Sequence, residues 1–188
     1  LGNTIYQMDL GSGRFDAIIR KLIEKQDELF RCDDTEKKQQ LKQEIEDLRN
    51  MIILSELEGC PADKIERFHA TTRMASKPYV LWQLDFARVF REKGGFDIVI
   101  GNPPYRLCQP SNTSEYLLNC YKNHYSVASY KIDLFHLFFE KGINLLKQSG
   151  VLGYITPNTY LTNKYIKPLR KFILDTCTIH TIVNHDKV

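Results

Sequence analysis

The fold class is decided by the stretch FDIVIGNPPY, residues 96–105, in which an apolar run ends at a glycine, an asparagine and two prolines. Residues 96–100 are almost continuously apolar, which is typical of a parallel strand covered by helices on both faces. Ligands of open parallel sheets bind outside the carboxyl ends of the strands. Residues 102–105 follow such an end directly, so we expect a site in this loop.

The loop 102–105 is rich in hydrogen-bond acceptors. A residue that precedes proline is pushed to an extended conformation, which holds Asn102 out from the turn. Pro103 and Pro104 have no backbone N–H, so the loop offers their carbonyl oxygens without matching donors. The amide oxygen of Asn102 is a further acceptor, and Tyr105 adds an aromatic ring. This combination suits a planar group that carries an NH₂.

An exocyclic amine such as adenine N6 fits this loop chemically. Its lone pair is delocalised into the ring, and two acceptors that engage both amine hydrogens concentrate the lone pair on nitrogen as charge develops. Tyr105 can stack on the base, a contact worth about 1–3 kcal/mol, once the base has left the duplex. The alternative is that the two prolines merely end a strand at a turn. The asparagine before them and the tyrosine after them favour the functional interpretation.

The residues after the loop predict more helices and strands of the same sheet. A strong helix is predicted over residues 134–146, with Gly150 as its C-terminal stop, and residues 151–155 form the next buried strand. Pro168 can open another helix at its first turn. Residues 179–183 make a last strand. Strand, helix, strand, helix, strand at this spacing predicts a doubly wound parallel α/β sheet.

The residues before the loop predict a pair of helices. Residues 14–31 and 35–57 both carry apolar side chains at helical spacing, and a short polar turn separates them. Such a pair forms an antiparallel helical hairpin. Two roles stay open: an arm that touches DNA or a partner protein, and an insertion packed against its own domain or a neighbouring copy. The slight acidity of residues 14–57, nine Lys and Arg against eleven Asp and Glu, favours the second role.

Composition narrows the class of protein. With 43% hydrophobic and 26% charged residues, the chain is typical of a globular protein, and no apolar run is long enough to span a membrane. Its five cysteines are scattered without metal-ligand spacing, which predicts reduced thiols in a cytoplasmic protein and no metal site. Residues 102–188 hold ten Lys and Arg against five Asp and Glu, and this net charge of +5 suits a polyanionic partner.

Three stretches carry a resemblance to a known family. FDIVIGNPPY resembles the fourth motif of the amino-methyltransferases, and the longer stretch at residues 82–105 resembles the bacterial restriction-modification methylases of the Eco57I-like group. The stretch YKIDLFHLFFEKGINLLKQSGVLGYITPNTYLT, residues 130–162, is similar to the fifth and sixth motifs of that family. The resemblance covers roughly residues 79–175 and weakly includes residues 1–5.

The resemblance implies a Rossmann-like fold, S-adenosylmethionine as methyl donor and adenine in double-stranded DNA as substrate. Asn102 and the carbonyl of Pro103 would bind the target amine, with Pro104 in the same catalytic loop and Tyr105 stacked on the base. The remaining assignments are less specific. Asp133 and Phe135 fall where the family lines the adenine pocket of the cofactor, and a helix start with core residues is the equal alternative. Thr156, Pro157 and Asn158 either border the same crevice or form a plain turn.

One family feature has no convincing counterpart, the glycine-rich cofactor loop that should precede residues 102–105. Gly11-Ser12-Gly13 resembles it only superficially, because no apolar strand comes before it. We therefore expect the second half of a methyltransferase domain: the end of a preceding segment at residues 1–13, a hairpin insertion at 14–60 and a partial Rossmann-like domain at 61–188. Alone, such a stretch is not expected to bind S-adenosylmethionine or to catalyse methyl transfer.

Two rival functions stay open at this point. The same tetrapeptide suits methyltransferases of protein glutamine and of RNA adenine, because those substrates also present a planar NH₂. The second rival is a half-domain without catalysis that contacts DNA or forms a homo-oligomer through the hairpin.

Overall fold

The computed structural model describes residues 13–72 and 80–184, except for the side chains of residues 64, 67, 71 and 72. The chain divides into two compact units, Leu1–Glu92 and Lys93–Val188. The first unit holds the helices α1 Asp16–Arg31, α2 Thr35–Glu56, α3 Ala62–Thr72 and α4 Trp82–Asp85, and α5 Ala87–Lys93 runs to the boundary. The second holds β1 Phe96–Gly101, β2 Leu107–Cys108, α6 Glu115–His124, β3 Ile132–Asp133, α7 Leu134–Asn144, β4 Leu146–Tyr154, α8 Thr159–Thr162, a 3₁₀ turn Lys164–Ile166 and α9 Lys167–Thr176.

The predicted pair of helices is confirmed as α1 and α2, which pack against each other. Ion pairs join Lys25 to Glu44 at 2.7 Å and Glu28 to Lys37 at 2.9 Å, so the two helices run antiparallel. The side chain of Asp34 accepts a hydrogen bond from the backbone N–H of Lys37 at 2.7 Å and caps α2. Apolar periodicity and a polar capping turn were therefore sufficient to place both helices.

The core of the first unit extends beyond the hairpin. Buried residues of α1 and α2 share one apolar cluster with Phe68 of α3, Leu84 of α4 and Ala87 of α5. Packing divides the chain into its two units between residues 92 and 93, whereas the sequence analysis predicted a domain boundary between residues 60 and 61. The reason is that helices α3 to α5 bury their apolar faces against the hairpin, which the linear pattern does not reveal.

The second unit contains a parallel strand pair, as the sequence predicts for an α/β fold. β1 and β4 run parallel, with Ile98 opposite Val151 and Gly101 opposite Tyr154. Helix α7 lies between them in the chain and buries its apolar side chains in a second core, together with residues of α6 and α9. β2 and β3 form a separate antiparallel pair of two residues each.

Two predicted features of this unit are wrong. Gly150 does not end a helix: α7 already ends at Asn144, and Gly150 lies inside β4, where the pairing with β1 is irregular and Ser149 has a positive φ of 63°. The predicted strand at residues 179–183 is not formed. A strand needs a hydrogen-bonded neighbour, and among the described residues this segment pairs with neither β1 nor β4.

The expectation that β1 is covered on both faces is also wrong. Ile98 is 67% exposed and Ile100 is 83% exposed. Leu152 and Tyr154 of the neighbouring strand pack against the second core. Because side chains alternate between the two faces of a sheet, the core covers one face and leaves the other exposed. In the part of the chain that the structure describes, no helix has the length and apolar character needed to cross a membrane.

Gly95 is placed where a side chain would collide with backbone. A Cβ built on Gly95 would lie 2.5 Å from the carbonyl carbon of Leu146 and 2.5 Å from the nitrogen of Lys147. We predict that Gly95→Ala lowers the free energy of unfolding of the second unit by about 3 kcal/mol, the upper range for overpacking, because backbone atoms cannot move aside easily. Hydrogen exchange of the β1 and β4 amides measures this loss.

Gly94 supplies the matched control. A Cβ on Gly94 meets nothing within 4 Å, although its φ is +76°. Gly94→Ala therefore carries only the strain of a left-handed backbone, about 1 kcal/mol. Equal losses for the two variants would contradict the close contact assigned to Gly95.

Candidate active site

The loop 102–105 lies at the edge of the sheet where both parallel strands end. β1 ends at Gly101 and β4 ends at Tyr154, and these two residues are opposite each other. The backbone N–H of Ile155 donates to the carbonyl of Gly101 at 3.1 Å, so the two chains leave the sheet side by side. The carboxyl ends of parallel strands are the usual place for a ligand. The loop therefore lies at the carboxyl ends of parallel strands, as the sequence analysis expected, and its role as a site stays a prediction.

The two prolines present their carbonyl oxygens unpaired. Pro103 is buried and anchors the loop, whereas Asn102, Pro104 and Tyr105 are exposed. Within residues 13–72 and 80–184, no donor forms a hydrogen bond to the carbonyl oxygen of Pro103 or Pro104. Both oxygens therefore keep the capacity to accept from N–H groups of a ligand, with Pro104 the exposed residue of the two.

The hydroxyl of Tyr105 can donate a hydrogen bond to the third acceptor of the loop, the amide oxygen of Asn102. It lies 2.6 Å from Oδ1 of Asn102 and 2.9 Å from the carbonyl oxygen of Ile155, and it has one proton to donate between them. The Tyr105 ring also meets Phe135 edge-on, with 6.4 Å between the ring centroids. An amine that binds Asn102 would use the second lone pair of Oδ1 or replace the Tyr105 hydroxyl, which can donate to the Ile155 carbonyl instead.

Asp133 ties the end of the loop to the start of α7. Its Oδ1 accepts from the backbone N–H of Arg106 at 3.0 Å and from the backbone N–H of Phe135 at 3.3 Å. The backbone N–H of Leu134 donates to the carbonyl of Arg106 at 3.0 Å. A single carboxylate oxygen thus caps the helix and holds the residue that directly follows Tyr105.

His136 completes this cap as a neutral imidazole. Its Nδ1 accepts from the backbone N–H of Asp133 at 3.4 Å. Burial lowers the pKa of His136, and this effect exceeds the opposing attraction of the Asp133 carboxylate. The uncharged ring can then accept through Nδ1, as the geometry requires.

The two residues assigned to the cofactor by resemblance are placed differently from each other. Phe135 is 2% exposed and forms part of the core, so its ring does not offer a surface to a cofactor. Asp133 keeps one oxygen, Oδ2, without a hydrogen-bond partner among the residues that the structure describes. Asp133 therefore fits a polar contact to a cofactor and Phe135 does not fit a direct one, and the role of both stays a prediction.

Other sequence-based candidates have simpler positions. Thr156, Pro157 and Asn158 follow β4 after Ile155, and Asn158 precedes the short helix α8, so a border of the crevice and a plain turn both stay predictions for them. Gly11 and Ser12 lie outside the described residues. Nowhere in the described ranges do three or more His, Cys, Asp or Glu side chains come together to hold a metal ion.

Sequence reasoning missed two backbone contacts of the site. The carbonyl of Ile155 holds the Tyr105 hydroxyl, and the backbone N–H of Arg106 is bound by Asp133. Backbone groups leave no residue-type signal, so the first contact could not be read from the sequence. The second had a partial signal, because an aspartate before an apolar helix start is a typical N-cap.

Comparison with known proteins gives one family and several relatives. A sequence model described as Eco57I restriction-modification methylase matches residues 3–188. The type II methyltransferase M.BstVI of Geobacillus stearothermophilus is 33% identical over 109 residues, which are 58% of this chain and 18% of that protein. The type II restriction enzyme and methyltransferase RM.Eco57I of Escherichia coli is 39% identical over 79 residues, 42% of this chain and 8% of that protein.

A viral protein is similar as well. The modification methylase CviBIII of Paramecium bursaria Chlorella virus NC1A is 30% identical over 128 residues, 65% of this chain and 32% of that protein. The chain spans at most 32% of the length of these three relatives. No solved structure matches the chain.

Proposed function

The chain belongs to the Eco57I restriction-modification methylase family, and from this membership we propose that the protein methylates adenine N6 in double-stranded DNA as part of a type II restriction-modification system. Two of the relatives are named type II methyltransferase and modification methylase, which supports DNA methyl transfer as the activity. The acceptor loop at residues 102–105 supports an exocyclic amine as the target, and the resemblance of its motif to the amino-methyltransferases of the Eco57I-like group supports adenine. The complete protein, rather than these residues alone, is the proposed enzyme.

The acceptor geometry of the loop is the single observation that carries the choice of an amine. In the described part of the chain no donor pairs with the carbonyl oxygens of Pro103 and Pro104, and the amide oxygen of Asn102 beside them accepts only from the Tyr105 hydroxyl. An NH₂ group has two hydrogens to donate, whereas a ring carbon has none. The amide oxygen of Asn102 and the carbonyl of Pro103 would each accept one of them. Both bonds strengthen as positive charge develops on nitrogen, which is the effect that accelerates the reaction.

Tyr105 would change its contacts when the base enters. The incoming amine replaces the Tyr105 hydroxyl on Oδ1 of Asn102, which releases the aromatic ring to stack on the flipped base. S-adenosylmethionine supplies an electrophilic methyl group when it is bound. The alkylated nitrogen carries a positive charge and loses its extra proton to water, so no residue of this loop has to act as a base.

The finer features of the fold are part of the same proposal. We assign the second unit to a Rossmann-like sheet and the hairpin of α1 and α2 to an insertion in that domain. Asp133 and Phe135 would border the cofactor. Because Phe135 is buried, its ring would lie behind the residues that contact the cofactor. Pairing of two copies through the hairpin remains a prediction for the complete protein.

The proposal is tested by identifying the methylated base. The complete gene is expressed in a host without adenine methylation, and its DNA is digested to nucleosides for mass spectrometry and sequenced for modified positions. We expect N6-methyladenine at one short recognition sequence. Methylcytosine in place of methyladenine would overturn the choice of base. No modified DNA from a folded, expressed protein would overturn DNA methylation, and RNA and protein of the same cells then show whether another planar amine is the substrate.

Asp133 offers a second test, because two roles for it predict different results. If Asp133 positions the loop through Arg106, Asp133→Ala lowers the turnover rate by about tenfold to a hundredfold, as small misplacements of catalytic groups do. Asp133→Asn keeps an acceptor oxygen and a good helix cap, and it should stay within about threefold of the wild type. Steady-state kinetics of methyl transfer to duplex DNA measures both variants.

A charge contact to the cofactor would give another pattern. Asp133→Asn would then lose as much activity as Asp133→Ala, and the loss would appear as a higher KM for S-adenosylmethionine. That result would assign Asp133 to the cofactor and remove its role as a positioning residue for the loop.

A further inference from the structure

Two exposed tyrosines and two lysines form one cluster in the second unit, which we call the tyrosine–lysine cluster: Tyr130, Lys131, Lys164 and Tyr165. The rings of Tyr130 and Tyr165 are stacked, with 5.3 Å between centroids and 29° between planes. The ammonium groups of Lys164 and Lys131 lie 5.1 Å and 5.8 Å from the centroid of the Tyr165 ring. These distances are within the range of cation–π contacts. The side chains of Tyr130, Lys131 and Lys164 therefore all contact the ring of Tyr165.

The aromatic rings of this cluster remain open to solvent. Tyr130 is 74% exposed although Tyr165 stacks on it, and Tyr165 is 46% exposed. Large exposed aromatic rings are unusual on a surface that binds nothing. The free face of Tyr130 has the shape and polarity to stack on a planar ring or a sugar.

The positive charge of the cluster is not compensated. No carboxylate forms an ion pair with Lys131 or Lys164 in the two described ranges, whereas Lys171 is paired with Asp175 at 2.6 Å. Residues 141–174 contain six Lys and Arg and no Asp or Glu. Unpaired ammonium groups beside exposed aromatic rings are the combination that single strands and distorted duplexes of nucleic acid require.

Both halves of the cluster belong to segments that strand pairing ties to the acceptor loop. Lys164 and Tyr165 belong to the segment that follows β4, and the acceptor loop follows β1, whose end is opposite that of β4. Tyr130 and Lys131 precede β3, which pairs with β2 immediately after the acceptor loop. Lys131 is thus one residue from the strand that pairs beside the acceptor loop, whereas Lys164 follows the end of β4 by ten residues, after α8.

We propose that the tyrosine–lysine cluster binds the DNA strand beside the flipped base, with the two ammonium groups on phosphates and the Tyr130 ring stacked on a neighbouring nucleotide. This inference rests on the proposed function, since it identifies how the DNA of that reaction is held. A protein partner with an acidic surface is the competing occupant. Release of counterions from phosphates makes the DNA interaction salt-dependent.

The test measures duplex binding by the complete protein at several salt concentrations. Fluorescence anisotropy with a labelled duplex that contains the recognition sequence gives the slope of log K against log salt. For the double variant Lys131→Ala and Lys164→Ala we expect the slope to fall by about two and the affinity by about tenfold or more. Tyr130→Ala should weaken binding by about tenfold, and Tyr130→Phe should keep wild-type affinity because the stacking face is retained.

Lys171→Ala is the matched control, because it removes the same charge from a lysine that is already paired with Asp175. We expect its affinity and salt slope to equal those of the wild type. Unchanged slope and affinity in the double variant would overturn the proposal, as would an equal loss in Lys171→Ala. A wild type that binds DNA through the cluster without methylating adenine would refute the proposed function and leave the binding surface in place.

Discussion

Asn102→Ala is expected to lower the rate of adenine methylation by a factor of about 10²–10³, which corresponds to loss of one preorganised group that stabilises transition-state charge. The amide oxygen of Asn102 would accept one of the two amine hydrogens, and alanine has no acceptor. A single bond to the Pro103 carbonyl leaves the nitrogen lone pair largely delocalised into the ring. The loss should appear in the turnover rate, because the bond is strongest when the nitrogen is positively charged.

Asn102→Asp is the matched variant for this prediction. A carboxylate keeps the acceptor oxygens, and the Tyr105 hydroxyl, now 2.6 Å from the amide oxygen, can still donate to it. We expect Asn102→Asp to retain far more activity than Asn102→Ala, within about tenfold of the wild type. Single-turnover methylation of a duplex substrate measures the chemical step for all three proteins. Duplex affinity, measured separately, should be unchanged in both variants.

Two outcomes would contradict the role of Asn102. Wild-type turnover by Asn102→Ala would show that the Asn102 side chain does not hold the amine. Equal loss in Asn102→Ala and Asn102→Asp, with intact DNA binding, would show that the amide N–H₂ of Asn102 rather than its oxygen is needed.

Glu140→Ala is expected to be the most destabilising single substitution, with a loss of about 3–4 kcal/mol in the second unit. Glu140 lies in α7 and is 6% exposed. Its two carboxylate oxygens accept three hydrogen bonds, each of 3.0 Å: from the backbone N–H and the hydroxyl of Ser126 and from the backbone N–H of Val127. Alanine would leave the N–H of the buried Val127 without its partner, which costs more than the bond itself contributes, and it would also remove both bonds from the exposed Ser126.

Two control variants test whether the loss of stability comes from the buried Glu140 carboxylate and its three hydrogen bonds. Ser126→Ala removes one of the three hydrogen bonds and should cost about 1 kcal/mol. Asp175→Ala removes an exposed carboxylate that pairs with Lys171 and should change stability by less than about 1 kcal/mol. Hydrogen exchange of the α7 and loop amides gives the local free energy for each variant. A loss for Glu140→Ala no larger than that for Ser126→Ala would contradict the assigned hydrogen bonds.

Glu140 also connects stability with the proposed DNA contact. The loop that it anchors at Ser126 and Val127 continues to Tyr130 and Lys131. Loosening of this loop should therefore weaken duplex binding even if α7 remains folded. The sequence analysis included α7 in the core but gave no reason to expect a buried carboxylate in it, because glutamate is usually exposed on helices.

Local patterns were sufficient for much of the fold. The spacing of apolar residues placed α1, α2 and α7, and the glycine after an apolar run placed the end of β1. Each of these elements is set by interactions between residues that are near in sequence, such as side chains one turn apart or a cap three residues away. The strand predicted at residues 179–183 failed for the opposite reason, since a strand exists only through hydrogen bonds to a neighbour that the segment itself does not specify.

By itself, the sequence determined the family of this protein and predicted the chemistry of its loop, because both depend on residue types in fixed order. Two successive prolines after a strand provide carbonyl acceptors without matching N–H donors wherever the loop is placed. Only the tertiary structure decided which contacts these residues make: the Tyr105 hydroxyl on Asn102, Asp133 on the backbone of Arg106, and the cluster of Tyr130 with Tyr165. Those contacts join residues brought together by the parallel pairing of β1 with β4 and by the packing of α7, and no local pattern encodes such distances.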